Sequence, residues 1–558
     1  MPDTAALGLD FGTESVRALL VDTRTGQELG VGVAPYAHGV IDRALPHPDR
    51  TIRLGDDWAL QDPRDYLDGL IQAVREALAS ARSKVERIAG IGVDFTACTV
   101  LPARADGTPL CFDSASSHQP HAYVKLWKHH GAQAQADALN RLARERSEGF
   151  LRRYGAGVSC EWMIPKAHEL AEEAPDLFDA AEKWIEAGDW IVWQLTGVES
   201  RNACAAGYKG CWSAAEGLPS DEFLAALHPR LASLRGKMEG PVRPAGARVG
   251  GLTPEWAKQL ELPEGLPVGA AIIDAHAAVP ASGLSKPGDL GIILGTSFCH
   301  MLLGAPGARD DCEGIAGSVK EGILPGLMGY EAGQAGGGDL WAWCVRTCGN
   351  EKILQEAHTK KWTLHESIAL RAAGYKPGGT GLLALDWLNG NRSPLNRPEL
   401  SGLIVGLTLA TKPEAIYRAL QESLAFGTRV IVENFERQGL PVSRIVTSGG
   451  IAQKDPAFLQ ILADVSGRQI EVARSAQACA VGAAILGAVA AGAEGGGYDS
   501  FEAAAGAMGG VKAQSFKPQA EAGKVYDELF HDYVLLADHF GRGGCEVMAR
   551  LRALRGER

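Results

Sequence analysis

The chain has 558 residues, too long for a single hydrophobic core and suited to roughly two to four domains. Its 46% hydrophobic and 22% charged residues match an ordinary soluble globular protein, which excludes fibrous and disordered classes. A net charge of −12 gives no electrostatic reason to bind nucleic acid or an anionic membrane surface.

The first pattern is "GLDFGTESVRALLVD", residues 8 to 22. Leu7 and Leu9, then Val16, Ala18 and Leu20, alternate as two strands of a hairpin, with Gly12 at the turn. Asp10 ends the first strand, and two readings of it stand side by side. It is a turn acid bonding nearby backbone N–H groups, or it holds a water-ligated Mg²⁺ beside a concavity of N–H and hydroxyl groups built for phosphate. "DPRDYLDGLIQAVREALASA" predicts a helix with Asp62 as N-cap and Pro63 at its first position. Tyr66, Leu67, Leu70, Ile71, Val74 and Leu78 form its apolar face. "IAGIGVD" reads as a strand ending in a second acid, Asp94, and "VLPARADGTPL" as a hairpin turning at Asp106–Gly107.

Helical stretches resume over residues 120 to 197, the last stopping at Gly197. Within them Lys125, Lys128, His129 and His130 read as a solvated helix face rather than a binding patch. "VGAAIIDAHAAV" reads as an apolar strand ending in Asp274, and "GDLGIILGTSFCHMLL" as strand, turn and strand. A long helix opens at Pro413 and closes near Gly439; "RIVTSGGIAQKDPAFLQILADVSG" is a strand, a glycine turn and a helix capped by Asp455. "CAVGAAILGAVAAGA", from Cys479, is too short and too rich in Gly and Ala to span a bilayer and reads as a buried helix. The eleven cysteines lack paired metal spacing. With no basic-then-apolar leader, they read as reduced thiols of a cytoplasmic protein. The two strand–turn–strand units suggest an internal duplication, with halves at 1–283 and 284–558.

Three small-residue turns, "DFGTES", "LGTSF" and "SGGIAQKD", each follow an apolar strand, with neither a Walker A loop nor a G-x-G-x-x-G helix opening. In this order they resemble the actin-like ATPase superfamily, and within it the FGGY carbohydrate kinases. "WMIPKAHELAEEAP", "DWIVWQLTG", "GNRSP" and "GLIVGLTLATKPEAIYRALQESLAFGTR" are similar to segments of that family. "VDFTACT", "LWKHH", "AGYKGCW", "YEAGQAGGGD" and "LDWLNGNRSP" resemble its ribulokinase branch.

The resemblance implies an α/β fold of two ribonuclease H-like domains flanking a central cleft, sugar held mainly by the first half and nucleotide by the second. It implies ATP and Mg²⁺ as cofactors and a ketopentose as substrate, L-ribulose passing to L-ribulose 5-phosphate in L-arabinose breakdown. Kinases of D-ribulose, ribitol or xylulose are the nearest alternatives, and a non-kinase actin-like ATPase a more distant one; a homodimer is compatible with all of them. Asp274 would be the general base and, with Asp10, would hold Mg²⁺. Asp10, Thr13, Ser15, Arg17, Gly295, Thr296, Gly449, Gly450 and Lys454 would face the nucleotide, Lys454 standing where many relatives carry Asn. Ala97, Trp127, Lys209, Asp274 and Glu331 would face the sugar, and His276 reads as structural. Before the resemblance, each has a plainer reading: Asp274 as a helix cap, Lys209 as a surface lysine, Glu331 as a buried pair member and Trp127 as core.

Overall fold

The computed structural model describes residues 4–46, 51–81, 85–155 and 157–554. Its frame is a pair of seven-stranded mixed sheets on one plan. In the first, β1 (Thr4–Phe11), β2 (Ser15–Asp22) and β3 (Glu28–Pro35) form an antiparallel meander, and strand Arg87–Phe95 joins β1 in parallel on its other side. In the second, strands Asp289–Leu294, Phe298–Gly304 and Met328–Gln334 repeat the meander, and Arg444–Ser448 runs parallel to the first of them. The turns match too: Gly12 N–H donates to Ser15 O at 3.0 Å, and Gly295 N–H to Ser297 O at 3.2 Å.

The apolar run of β1 is buried on both faces, as a central strand requires. Helix α1 (Pro63–Ala81) covers one face of this sheet with Tyr66, Leu70 and Val74 buried and Leu67, Ile71 and Leu78 packed at the margin. The segment "VGAAIID" is broken rather than continuous. Ala270 turns its backbone to the 246–247 loop, accepting from Gly246 N–H at 3.0 Å and donating to Ala247 O at 2.8 Å. Strands Pro267–Gly269 and Ile272–Ile273 result, and Asp274 opens helix Asp274–Ala281 instead of ending a strand.

The basic cluster at 125–130 is also not a solvated helix face. Val124–Lys125 is a strand of a smaller four-stranded sheet, and Lys125 and His129 are fully buried. Glu169 on helix Met163–Glu173 supplies the counter-charge, 2.8 Å from Lys125 Nζ and 2.9 Å from His129 Nε2. His130 is exposed and lies 3.1 Å from Glu161. All eleven cysteines are free thiols, and among the described residues no helix is long and apolar enough to cross a membrane.

Helix Ala478–Ala491 lies late in the chain yet packs on the first sheet, between it and helix Asp274–Ala281. Its Gly and Ala content follows from how close it comes. A Cβ on Gly8 would lie 2.0 Å from Ala480 O, and one on Gly92 1.9 Å from Ala483 O. On the opposite side, a Cβ on Gly482 would lie 1.9 Å from Ala277 O. These are backbone-to-backbone contacts in which no side chain fits. Gly482→Ala is therefore expected to destabilise by about 3 kcal/mol or more. Gly506→Ala, in a helix with nothing within 4 Å of the new Cβ, should be neutral or stabilise by up to about 1 kcal/mol. Thermal midpoints of the two variants check the contrast; equal shifts would remove the close-contact argument.

Candidate active site

Parallel strands of the first sheet bring three acids to one edge. Asp10 pairs with Asp94 across the register, Asp94 with Ile272, and Asp274 follows two residues on. Asp94 is fully buried and neither carboxylate oxygen has a donor. Burial, then Asp10 and Asp274, pushes its pKa well above the carboxylate range. Burial also raises Asp10, against the opposing pull of Arg17, whose Nη1 lies 3.0 Å from Asp10 Oδ2. Asp274 is raised to about 7, chiefly by burial, although Ala275 N–H donates to its Oδ1 at 2.6 Å.

Hard oxygen donors short of positive charge fit Mg²⁺ by chemistry. Among the described residues no three His, Cys, Asp or Glu stand close enough to ligate one ion directly.

The first Gly-Thr turn stands beside these acids. Thr13 is held from two sides: Gln61 Nε2 donates to its carbonyl at 2.7 Å, and Trp127 Nε1 donates to its Oγ1 at 3.0 Å. Tyr66 OH fixes Gln61 in turn, donating to Oε1 at 2.7 Å. Thr13 and Trp127, assigned by sequence to different ligands, are thus in contact. Trp127 is 38% exposed, not a core residue. Ser15 is half-buried in the turn, whereas Arg17 is engaged by Asp10.

At the matching edge of the second sheet, Ile293 pairs with Ser448, so the turns at Gly295–Thr296 and Gly449–Gly450 adjoin. Gly449 has φ of +90°, and a Cβ there would lie 2.6 Å from Leu294 O, so only glycine fits. Thr296, Gly450 and Lys454 are exposed. The segment "GGGD" at 336–339 also joins this edge: Gly338 N–H donates to Gly295 O at 3.0 Å, and Gly337 N–H to Asp339 Oδ1 at 2.7 Å. Sequence reasoning assigned these residues no role; their signals were a glycine run opening a helix and their place in "YEAGQAGGGD".

Lys209 and Glu331 form one buried pair across the halves. Lys209 comes from helix Ala203–Gly210, Glu331 from strand Met328–Gln334, and Nζ lies 3.0 and 3.2 Å from the two carboxylate oxygens. Arg392 also donates to Glu331, and His276 Nε2 lies 3.5 Å away. Burial alone would raise the Glu331 carboxyl, but Lys209 and then Arg392 overcome it and hold it at about 2. His276, 1% exposed, is lowered to about 4 by burial, so its ring is neutral near pH 7. Arg392 is the member that sequence reasoning missed; its signal was its place in "GNRSP". Ala97 lies half-buried in the loop after strand Arg87–Phe95. A separate cavity of about 490 Å³ adjoins helix Ala203–Gly210, but its Arg201 and Arg235 are already paired with Glu199 and Glu239.

Residues 5–280 match the FGGY family of carbohydrate kinases, N-terminal domain, and residues 290–491 match the C-terminal domain of the same family. The chain is 49% identical to a protein named Ribulokinase from Halalkalibacterium halodurans, over 98% of this chain and 97% of that protein. It is 45% identical to another of that name from Mycolicibacterium smegmatis, over 98% and 96%. A xylulose kinase from Rhodospirillum rubrum shares the fold, with TM-score 0.77 at 24% identity over 96% of this chain and 98% of that one. The gluconate kinase of Lactobacillus acidophilus does so with TM-score 0.76 at 16% identity, over 97% and 99%. The fold is accordingly that of the actin-like ATPases.

Removing one partner from a buried ion cluster strands the others. Glu331→Gln should cost about 3–5 kcal/mol of stability by leaving Lys209 and Arg392 uncompensated. The native carboxyl is held below its unfolded value of 4.5, at about 2. Its contribution is therefore complete above pH 4.5 and lost as pH falls toward 2. Denaturant unfolding of wild type and variant across that window should show the gap closing on acidification. A gap independent of pH would place the effect elsewhere.

Proposed function

The chain belongs to the FGGY family of carbohydrate kinases, and on that premise we propose that it phosphorylates ribulose with ATP. L-Ribulose is the substrate and L-ribulose 5-phosphate the product, in the breakdown of L-arabinose in the cytoplasm. Relatives named Ribulokinase align over nearly the full chain at 45–49% identity, which supports this substrate over others of the family. The observation that carries the mechanism is Asp274. Its carboxylate, raised to about 7, lies at the acid edge and feels both Asp10 and the Lys209–Glu331 pair.

In this reading the first half, 1–283, and the second, 284–558, each supply one wall of the cleft. Lys209 and Glu331 orient the sugar hydroxyls, with Trp127 as a flat wall and the backbone at Ala97 adding polar contacts. Thr13, Ser15 and Arg17 from one turn, and Gly295 and Thr296 from the other, hold the phosphates. Gly449, Gly450 and Lys454 line the nucleoside. Asp274 takes the proton from the attacking hydroxyl as its oxygen bonds the γ-phosphorus, and the bond to the β–γ bridging oxygen breaks with its electron pair leaving on ADP. Asp10 and Asp274 would hold Mg²⁺ through water; when bound it neutralises phosphate charge.

An actin-like ATPase that moves no phosphoryl group to sugar would leave the Lys209–Glu331–Arg392 cluster without a task. Coupled ADP release with L-ribulose, D-ribulose, ribitol and xylulose tests the substrate, and sugar-independent hydrolysis alone would overturn the kinase reading. Asp274→Asn preserves size and most hydrogen bonding but cannot accept the proton. It should lower kcat by about 10²- to 10⁴-fold with ATP affinity retained. A variant keeping more than about a tenth of kcat would remove Asp274 from that role.

A further inference from the structure

Helix Met163–Glu173 is buried from Met163 to Ala171, an unusual setting for Lys166 and Glu169. Both are engaged with the loop that carries Trp127. Glu169 accepts from Lys125 Nζ at 2.8 Å and from His129 Nε2 at 2.9 Å. Lys166 Nζ donates to Leu126 O at 2.8 Å, between those two anchors. The same ammonium donates to Cys98 O at 2.7 Å. Cys98 has φ of 55°, a left-handed conformation that a non-glycine residue keeps only when its surroundings impose it. The hydrogen bond from Lys166 is one such constraint. A second acts on the next residue, where Thr99 N–H donates to Glu186 Oε2 at 3.1 Å.

One buried cation therefore joins two loops at the carbonyls flanking Ala97 and Trp127. Lysine suits this because an ammonium presents three donors from a single atom, so it reaches carbonyls arriving from different directions. A neutral side chain of equal length offers none, and the longer planar fork of arginine needs both carbonyls in one plane.

We infer that Lys166 is a positioning residue for the sugar. It sets the spacing of the Ala97 loop against the Trp127 loop, and this rests on the reading above that both loops line the sugar site. Lys166 is fully buried. Its effect passes through backbone, where displacement by an ångström is enough to cost a large factor in rate or affinity.

The test uses the full chain, with steady-state kinetics in L-ribulose and in ATP for wild type, Lys166→Met, Lys166→Arg and Trp127→Ala. Lys166→Met should raise the L-ribulose KM about 10- to 100-fold. Its kcat and ATP KM should stay within about twofold of wild type, the split expected when ground-state positioning of one substrate is lost. Lys166→Arg should fall between the two. An unchanged L-ribulose KM, or sugar and ATP KM rising in step, overturns the proposal. If Lys166→Met does not fold, Lys166→Arg carries the same comparison, and failure of both to fold assigns Lys166 to the core and overturns it as well. Trp127→Ala separates the two inferences. A raised L-ribulose KM there beside a normal one in Lys166→Met removes the positioning role alone. A normal KM in Trp127→Ala removes the site reading and this proposal with it.

Discussion

The approach of helix Ala478–Ala491 to the first sheet is the constraint on which the rest of the molecule depends. Packed helices usually stand about 8–10 Å apart because side chains separate their axes. Here Gly8, Gly90 and Gly92 on the strands and Gly482 and Gly487 on the helix remove that spacer, and backbone meets backbone. The seam has little tolerance, since interiors at native density cannot absorb an added methyl group. It also fixes Asp274. The helix that Asp274 opens lies against Gly482 through Ala277, so the carboxylate is positioned by glycines two hundred residues further along the chain.

Around that frame, charge is distributed by two opposite rules. At the acid edge, Asp94 has no donor at all, and Asp10 and Asp274 are raised by burial. At the cluster of Lys209, Arg392 and Glu331, the carboxylate has more positive neighbours than it needs and is held low. A buried anion without partners avoids the cost by taking up a proton, and a buried anion among cations does not. Asp274 lies within reach of both fields, which suits a group that must change protonation during a reaction.

Local features were legible in the sequence. The turns at Gly12–Thr13 and Gly295–Thr296, the helix from Pro63 and the stop at Gly197 each depend on a few adjacent residues, and the structure contains them. The apolar run before Asp274 was legible, but neither the break at Ala270, set by a loop from residues 246–247, nor the place of Asp274 at the start of a helix rather than the end of a strand was. The burial of Lys125 was illegible because its partner Glu169 lies 44 positions away, and a lysine read locally is a surface residue. Arg392 was missed for the same reason: Glu331 is 61 positions from it, and only the folded chain brings them together. The roles proposed for Lys209 and Glu331 rest on resemblance, since no local pattern distinguishes the two from an ordinary ion pair.

The late position of the glycine seam also bears on how the protein is made. The first sheet takes its strands from residues before 274, yet the helix that covers Gly8, Gly90 and Gly92 ends at Ala491. A chain emerging from the ribosome therefore exposes one face of a completed sheet while residues 274 to 491 are being made. Folding by halves, the usual course for a long chain, is closed to it. The first half must wait, uncovered and open to wrong partners, for a segment that belongs by sequence to the second.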